Sequence, residues 1–129
     1  MPGDEKLEGP RILVVDDDEG VREAMVGILE MMGYRVASAP NGKEALDYLR
    51  EAATPDLIIS DLAMPVMDGR QFRREQVKEP RLAKIPVIVV SALSDQTDID
   101  ANEIFIKPVE VDILLAAIDR YCRRREPTK

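Results

Sequence analysis

Cysteine and histidine are almost absent from this chain. The sequence contains one cysteine, Cys122, and no histidine. A single thiol excludes an internal disulfide, and the lack of histidine excludes most zinc sites as well. Cys122 lies in a helical pattern near the C-terminus, which predicts a half-buried packing residue rather than a reactive thiol.

Long apolar runs are missing too. No stretch approaches the roughly 18 apolar residues of a membrane-spanning helix, and residues 1–10 lack the apolar segment of a signal peptide. The chain has 129 residues, of which 45% are hydrophobic and 33% charged, and this is typical of one globular domain. We therefore expect one cytoplasmic domain over residues 1–129, with a core over about 11–124 and flexible ends at 1–10 and 125–129.

The chain also lacks an excess of basic residues. The 25 acidic residues outnumber the 18 basic residues, which gives a formal net charge of −7 at pH 7. Binding to nucleic acid requires a basic surface that contacts phosphates. The charge therefore argues against DNA or RNA as a direct partner.

Strand and helix patterns alternate along the chain. Short apolar runs, typical of buried parallel strands, are separated by segments with apolar residues at helical spacing. This alternation predicts an α/β fold, a doubly wound parallel sheet with helices on both faces. The predicted strands are 11–15, 34–37, 56–60, 87–90 and a run from about 103; the predicted helices are 18–32, 43–53, 68–78 and 109–124.

Two helices have clear apolar faces in the sequence. In the first helix the residues predicted to be buried are Val21, Ala24, Met25, Ile28 and Leu29, and in the last helix the residues at helical spacing are Val111, Leu114, Leu115, Ile118 and Tyr121.

Polar side chains directly follow four of the five strands. Asp16 and Asp17 follow the first strand, Asp61 the third, Ser91 the fourth and Lys107 the fifth. Because ligands of open parallel sheets bind beyond the carboxyl ends of the strands, we expect these side chains to converge in one pocket. Three bare carboxylates would repel one another, and a hard divalent cation such as Mg²⁺ would relieve that repulsion.

The order of these motifs resembles the receiver domain of two-component response regulators. The motifs are Val15-Asp16-Asp17, Ser60-Asp61 with the Met-Pro-Val-Met-Asp-Gly run at 64–69, Ser91-Ala92 and Lys107-Pro108. The resemblance covers roughly residues 11–124. It implies a five-stranded parallel sheet in the order 2-1-3-4-5.

The resemblance also implies a function. The domain would not be a classical enzyme but a phosphoacceptor that promotes its own phosphotransfer and dephosphorylation. A sensor histidine kinase or a histidine phosphotransfer protein would donate the phosphoryl group, and phosphorylation would switch an interaction with an unknown downstream protein. Neither a membrane nor nucleic acid is implied as a direct partner.

Roles for individual residues follow from the same resemblance. Asp61 would be the phosphoacceptor, and Ser91 and Lys107 would bind the phosphoryl group. In this family the Lys-Pro bond, here Lys107–Pro108, is usually cis.

The resemblance also implies a Mg²⁺ site. Asp17 would bind the ion directly and Asp16 through water, while Asp61 and the backbone carbonyl of Ala63 would complete the protein ligands.

Other interpretations fit parts of the pattern. Either Asp16 or Asp17 could serve as a helix cap, although a cap needs only one of them. Asp68 with Gly69 predicts a cap and a turn without chemistry. An aspartate phosphohydrolase of the haloacid dehalogenase type needs a second acid two positions after its nucleophile, where this chain has Ala63. A phosphorylation-independent adaptor with the receiver fold is the main alternative.

Two features depart from the family pattern. The stretch between Ser91 and Lys107 is short for a loop, a helix and a strand, so we expect the family's fourth helix to be short or absent, with residues 94–102 as a loop or a single turn. Receivers usually carry an aromatic residue three positions before the lysine. Here Ile104 stands at that position and Phe105 follows it, so we expect the ring on the opposite face of the sheet.

Overall fold

Five parallel strands form one sheet in the spatial order β2-β1-β3-β4-β5. The computed structural model describes residues 9–92 and 100–123. The predicted doubly wound α/β fold and its strand order are confirmed, and this is a flavodoxin-like arrangement. The strands are β1 (Arg11–Val15), β2 (Arg35–Ala39), β3 (Leu57–Asp61), β4 (Val87–Ser91) and β5 (Glu103–Ile106).

Two of the helices begin at capping aspartates that the sequence predicts. Asp18 accepts a hydrogen bond from Val21 N–H at 3.0 Å, and Asp68 forms a reciprocal capping box with Gln71. None of the helices within the described residues has the length and apolar character needed to cross a membrane. The helices are α1 (Glu19–Met31), α2 (Gly42–Glu51), α3 (Gly69–Val77), α4 (Pro80–Ala83) and α5 (Val111–Arg123).

Three predictions fall wholly or partly on residues that the structure does not describe. The short helix α4 lies before β4. It is therefore not the family's fourth helix, which we expected to be short or absent between Ser91 and Lys107. That region includes residues 93–99, which lie outside the described residues. The flexible ends were predicted at 1–10 and 125–129, and residues 1–8 and 124–129 also lie outside the described residues.

Each face of the sheet has its own apolar core. Leu13 and Val15 point toward α2 and α3 on one face, where Phe72 is fully buried. Ile12 and Val14 point toward α1 and α5 on the other face. Because the central strands are buried on both faces, their sequences are almost uninterrupted apolar runs.

The predicted buried faces of α1 and α5 are partly wrong. Val21 is 46% exposed and Val111 is 50% exposed, whereas Cys122 is buried rather than half-buried. Ala24 is also exposed. Helical spacing identifies residues that share a face, but it does not show how closely each turn approaches the sheet. Val21 borders a cavity of about 130 Å³ and therefore does not pack fully against the sheet.

The aromatic residue of β5 lies on the face that the sequence predicts. Phe105 is the Cα partner of Val90 and packs in the core beneath α1 and α5. Ile104 is the partner of Val89, whose side chain belongs to the opposite core. The ring of Phe105 is therefore turned away from the face on which Ile104 lies.

Gln76 is a fully buried polar residue that the sequence analysis did not identify. Its Nε2 donates hydrogen bonds to the carbonyl oxygens of Leu82 at 2.8 Å and Ile85 at 3.0 Å, and its Oε1 accepts one from Arg73 Nη1 at 3.0 Å. These bonds connect α3 to α4 and to the segment between α4 and β4. The amide thereby satisfies two backbone carbonyls that burial removes from water.

Replacing Gln76 with leucine should destabilise the protein. Gln76→Leu leaves both carbonyls without their donor, and we expect a loss of about 2–4 kcal/mol in the free energy of unfolding. Val77→Ala, at the neighbouring exposed position, is the control, because it should change the free energy of unfolding by less than about 1 kcal/mol. Urea denaturation of the three proteins measures the difference. Equal losses for the two variants would contradict a structural role for the amide.

Candidate functional site

The carboxyl ends of the strands bring the predicted site residues together. Asp61 is the last residue of β3, in the middle of the sheet, and Asp16 and Asp17 follow the adjacent strand β1. One carboxylate oxygen from each of these three residues lies within 4.8 Å of the others. Ser91 ends β4, and Lys107 follows β5.

Asp61 is held by contacts on both of its carboxylate oxygens. Oδ1 accepts a hydrogen bond from the backbone N–H of Leu62 at 2.8 Å, and Oδ2 lies 3.4 Å from Lys107 Nζ. The side chain of Asp61 is only 11% exposed. Burial raises the pKa of Asp61 above its usual value, opposed by Lys107 and Leu62 N–H and reinforced by Asp16.

The two acids after β1 have different environments. Asp16 is buried, and its Oδ1 accepts a hydrogen bond from the backbone N–H of Asp18 at 2.9 Å. Arg22 Nη1 donates to the backbone carbonyl of Asp16 at 2.8 Å, which ties the loop to α1. Asp17 is exposed. Since Asp18 is the residue that caps α1, neither Asp16 nor Asp17 is needed as the cap.

Ser91 and Lys107 lie side by side at the ends of β4 and β5. The backbone N–H of Lys107 donates to the carbonyl of Ser91 at 2.8 Å, and the bond between Lys107 and Pro108 is cis, as the family resemblance implies. Ser91 is fully buried, and its Oγ has no hydrogen-bond partner among the described residues. A buried hydroxyl of this kind suits a site that binds an oxyanion.

The donor set also suits a divalent cation. Three carboxylates within reach of one point provide the hard oxygen ligands that Mg²⁺ prefers. Ala63 lies two residues after Asp61 and is exposed, and the use of its carbonyl as a ligand remains a prediction.

Gly69 packs closely against the backbone that follows Asp61, a role that the sequence analysis missed. Its N–H donates to the carbonyl of Leu62 at 2.7 Å. A Cβ at this position would lie 2.7 Å from the carbonyl oxygen of Asp61 and 3.1 Å from the Cα of Leu62. The only signal for this contact in the sequence is the glycine itself, directly after the Asp68 cap. A glycine indicates that another part of the backbone lies close by, but it does not identify which part.

The chain belongs to the family of response regulator receiver domains. The model of that family, described as "Response regulator receiver domain", matches residues 12–119. The transcriptional regulatory protein AfsQ1 of Streptomyces coelicolor is 34% identical over 123 residues, which cover 91% of this chain and 53% of AfsQ1. The chain thus spans about half the length of that relative.

Solved structures show the same fold. The receiver domain of a signal transduction histidine kinase from Syntrophus aciditrophicus superposes with a TM-score of 0.85 at 34% identity, covering 94% of this chain and 96% of that one. The receiver domain of the sensor histidine kinase PA1611 from Pseudomonas aeruginosa has a TM-score of 0.81 at 26% identity, covering 89% and 98%. The PA1611 structure has a magnesium ion coordinated in its active site cleft.

The raised pKa of Asp61 predicts a stability that falls as pH rises. The folded state holds the proton of Asp61 to a higher pH than the unfolded state does. The resulting stabilisation is complete below the ordinary aspartate pKa and is lost as pH rises through the raised value. Asp61→Asn should remove this loss, so in metal-free buffer the variant should gain stability relative to the wild type as pH rises above the ordinary aspartate pKa of about 4. Parallel pH profiles of the unfolding free energy would contradict the assignment.

Gly69→Ala should disturb the site, whereas a matched substitution should not. Because the new Cβ cannot fit beside the carbonyl of Asp61, we expect a loss of about 1–3 kcal/mol in the unfolding free energy. Gly27 lies in α1, and a Cβ there would meet nothing within 4 Å, so Gly27→Ala should add about 0.5–1 kcal/mol. Chemical denaturation tests both variants. Unchanged stability in Gly69→Ala would show that the loop can move at little cost.

Proposed function

We propose that this chain is a phosphoacceptor that receives a phosphoryl group on Asp61 from the phosphohistidine of a sensor histidine kinase or a histidine phosphotransfer protein. The observation that carries the proposal is the position of the Asp61 carboxylate between Asp16 and Asp17 on one side and Lys107 on the other. Such a carboxylate has access to both a divalent cation and an ammonium group, which a phosphoryl transfer requires to neutralise charge.

The residues of the site have separate tasks in the proposed transfer. A carboxylate oxygen of Asp61 attacks phosphorus as the bond from phosphorus to the imidazole nitrogen of the donor breaks. Lys107, which lies 3.4 Å from Asp61 before transfer, then pairs with a phosphoryl oxygen. The hydroxyl of Ser91 donates a hydrogen bond to another phosphoryl oxygen.

The proposed cation site uses the same group of acids. Asp17 would hold Mg²⁺ directly and Asp16 through water, and Asp61 and the carbonyl of Ala63 would provide further oxygen ligands. A bound ion would supply positive charge that neutralises the phosphoryl oxygens. The exposure of Asp17 supports its role as the ligand that an ion meets first.

The proposed output is a change in binding to another protein. The proposed domain covers residues 1–129. Its proposed location is the cytoplasm, where disulfides are rare, and a chain with one cysteine cannot form an internal disulfide. The orientation of Phe105 keeps the phosphorylation-independent adaptor as a second candidate. The ring packs beneath α1 and α5, so it is not placed on the face where Ile104 lies.

Two neighbouring substitutions test the proposal. With Mg²⁺ and a small phosphodonor such as acetyl phosphate, intact mass should show one added phosphoryl group on the wild type, and peptide mapping should place it on Asp61. Asp17→Asn should abolish the adduct because it removes a metal ligand. Asp18→Asn should retain it, because asparagine caps a helix about as well as aspartate does.

Two results would contradict the proposal. An adduct mapped to a residue other than Asp61 would refute the assigned acceptor. A folded wild-type protein that stays unmodified both with the small phosphodonor and with a phosphorylated histidine phosphotransfer protein would favour the adaptor function.

A further inference from the structure

A second cavity lies at the opposite end of the sheet from Asp61. It has a volume of about 200 Å³ and lies at the amino ends of β1 and β2, on the face covered by α2. Two arginines and a tyrosine provide the polar side chains of its lining, which includes Arg11, Arg35, Ala37, Tyr48 and Pro55.

The two arginines occupy adjacent positions on neighbouring strands. Arg11 and Arg35 are Cα partners in the parallel pair formed by β1 and β2. Neighbouring strands lie about 4.8 Å apart, and partners in register point to the same face. Like charges directly opposite each other destabilise a sheet. An anion bound between the two guanidinium groups would relieve their mutual repulsion.

Within the described parts of the chain, no ion pair within 4.0 Å involves the guanidinium of Arg11 or that of Arg35. By contrast, Arg50, Arg73 and Arg120 each have at least one. Both residues are half-buried, so water screens their mutual repulsion less than it would at an exposed site.

The described residues that line the cavity include two cations and no acid. Asp56, whose Oδ2 accepts a hydrogen bond from the backbone N–H of Arg11 at 2.9 Å, is not one of the lining residues. Tyr48 adds a phenol, which supplies a hydroxyl donor and an apolar ring.

We propose that this cavity binds the phosphate group of a small molecule. A guanidinium donates parallel hydrogen bonds to phosphate oxygens, and two guanidinium groups match a dianion in charge. The local positive charge stands out in a chain whose net charge is −7. The site lies at the amino ends of the strands, so it is separate from the phosphoacceptor site and does not depend on the proposed phosphorylation.

Two-dimensional NMR with inorganic phosphate and with phenyl phosphate tests the proposal. The titrations use Mg²⁺-free buffer at constant ionic strength. We expect saturable shifts at Arg11, Arg35 and Tyr48, and none that centre on Lys107. Tighter binding of phenyl phosphate would identify an organic phosphate as the ligand, and equal binding would identify free phosphate.

A matched pair of variants separates this site from general charge effects. Arg35→Gln should weaken binding at least about tenfold, because one of the two charge-assisted contacts is lost. Arg74→Gln removes the same charge from an exposed position on α3 and should bind like the wild type. Equal affinities for all three proteins would overturn the proposal, as would the absence of saturable shifts in the wild type.

Thermal unfolding gives a second readout that a purely structural arginine would not produce. Phosphate should raise the Tm of the wild type and of Arg74→Gln by mass action, but not that of Arg35→Gln. Without phosphate, Arg35→Gln should keep or raise the Tm, since it relieves the repulsion between the two cations. A marked fall in the Tm of Arg35→Gln without phosphate would show that the Arg35 side chain stabilises the fold itself, and would overturn the proposal.

Discussion

Repulsion among three carboxylates is the constraint on which the rest of the site depends. The parallel register of β1 and β3 brings Asp16, Asp17 and Asp61 to one edge of the sheet, with oxygens within 4.8 Å of one another. The apolar core of the sheet holds these strands in place. Lys107, which follows β5, offsets part of the repulsion among the carboxylates. Burial is the main reason that the pKa of Asp61 is raised, and the nearby charge of Asp16 raises it further. A divalent cation would supply the remaining positive charge.

Much of this arrangement could be predicted from the sequence. The apolar runs identify the strands, and parallel strands bring their carboxyl ends to one edge, so residues far apart in sequence, such as Asp61 and Lys107, were expected to meet. The boundaries of the predicted elements differ from those observed by two residues or fewer. The strand order came from the family resemblance, since neither the spacing nor the apolar pattern specifies which strands are neighbours.

What the sequence could not predict depends on packing between elements. The buried amide of Gln76 satisfies carbonyls of Leu82 and Ile85, and nothing local in the sequence shows that those carbonyls need a donor. Gly69 is needed because the carbonyl of Asp61 lies against it across a turn. The exposure of Val21 likewise depends on how far the first turn of α1 stands from the sheet. Each of these facts follows from distances that only the folded chain defines.

Magnesium binding tests the central claim most directly, because it measures the carboxylate cluster without requiring a phosphodonor. Isothermal titration of the metal-free protein at pH 7 should show one Mg²⁺ site, weakened strongly by Asp17→Asn and by Asp61→Asn but not by Asp18→Asn. The three variants remove the same charge, so a general electrostatic effect would weaken all of them alike. No binding to the folded wild type, or equal weakening in all three variants, would contradict the account.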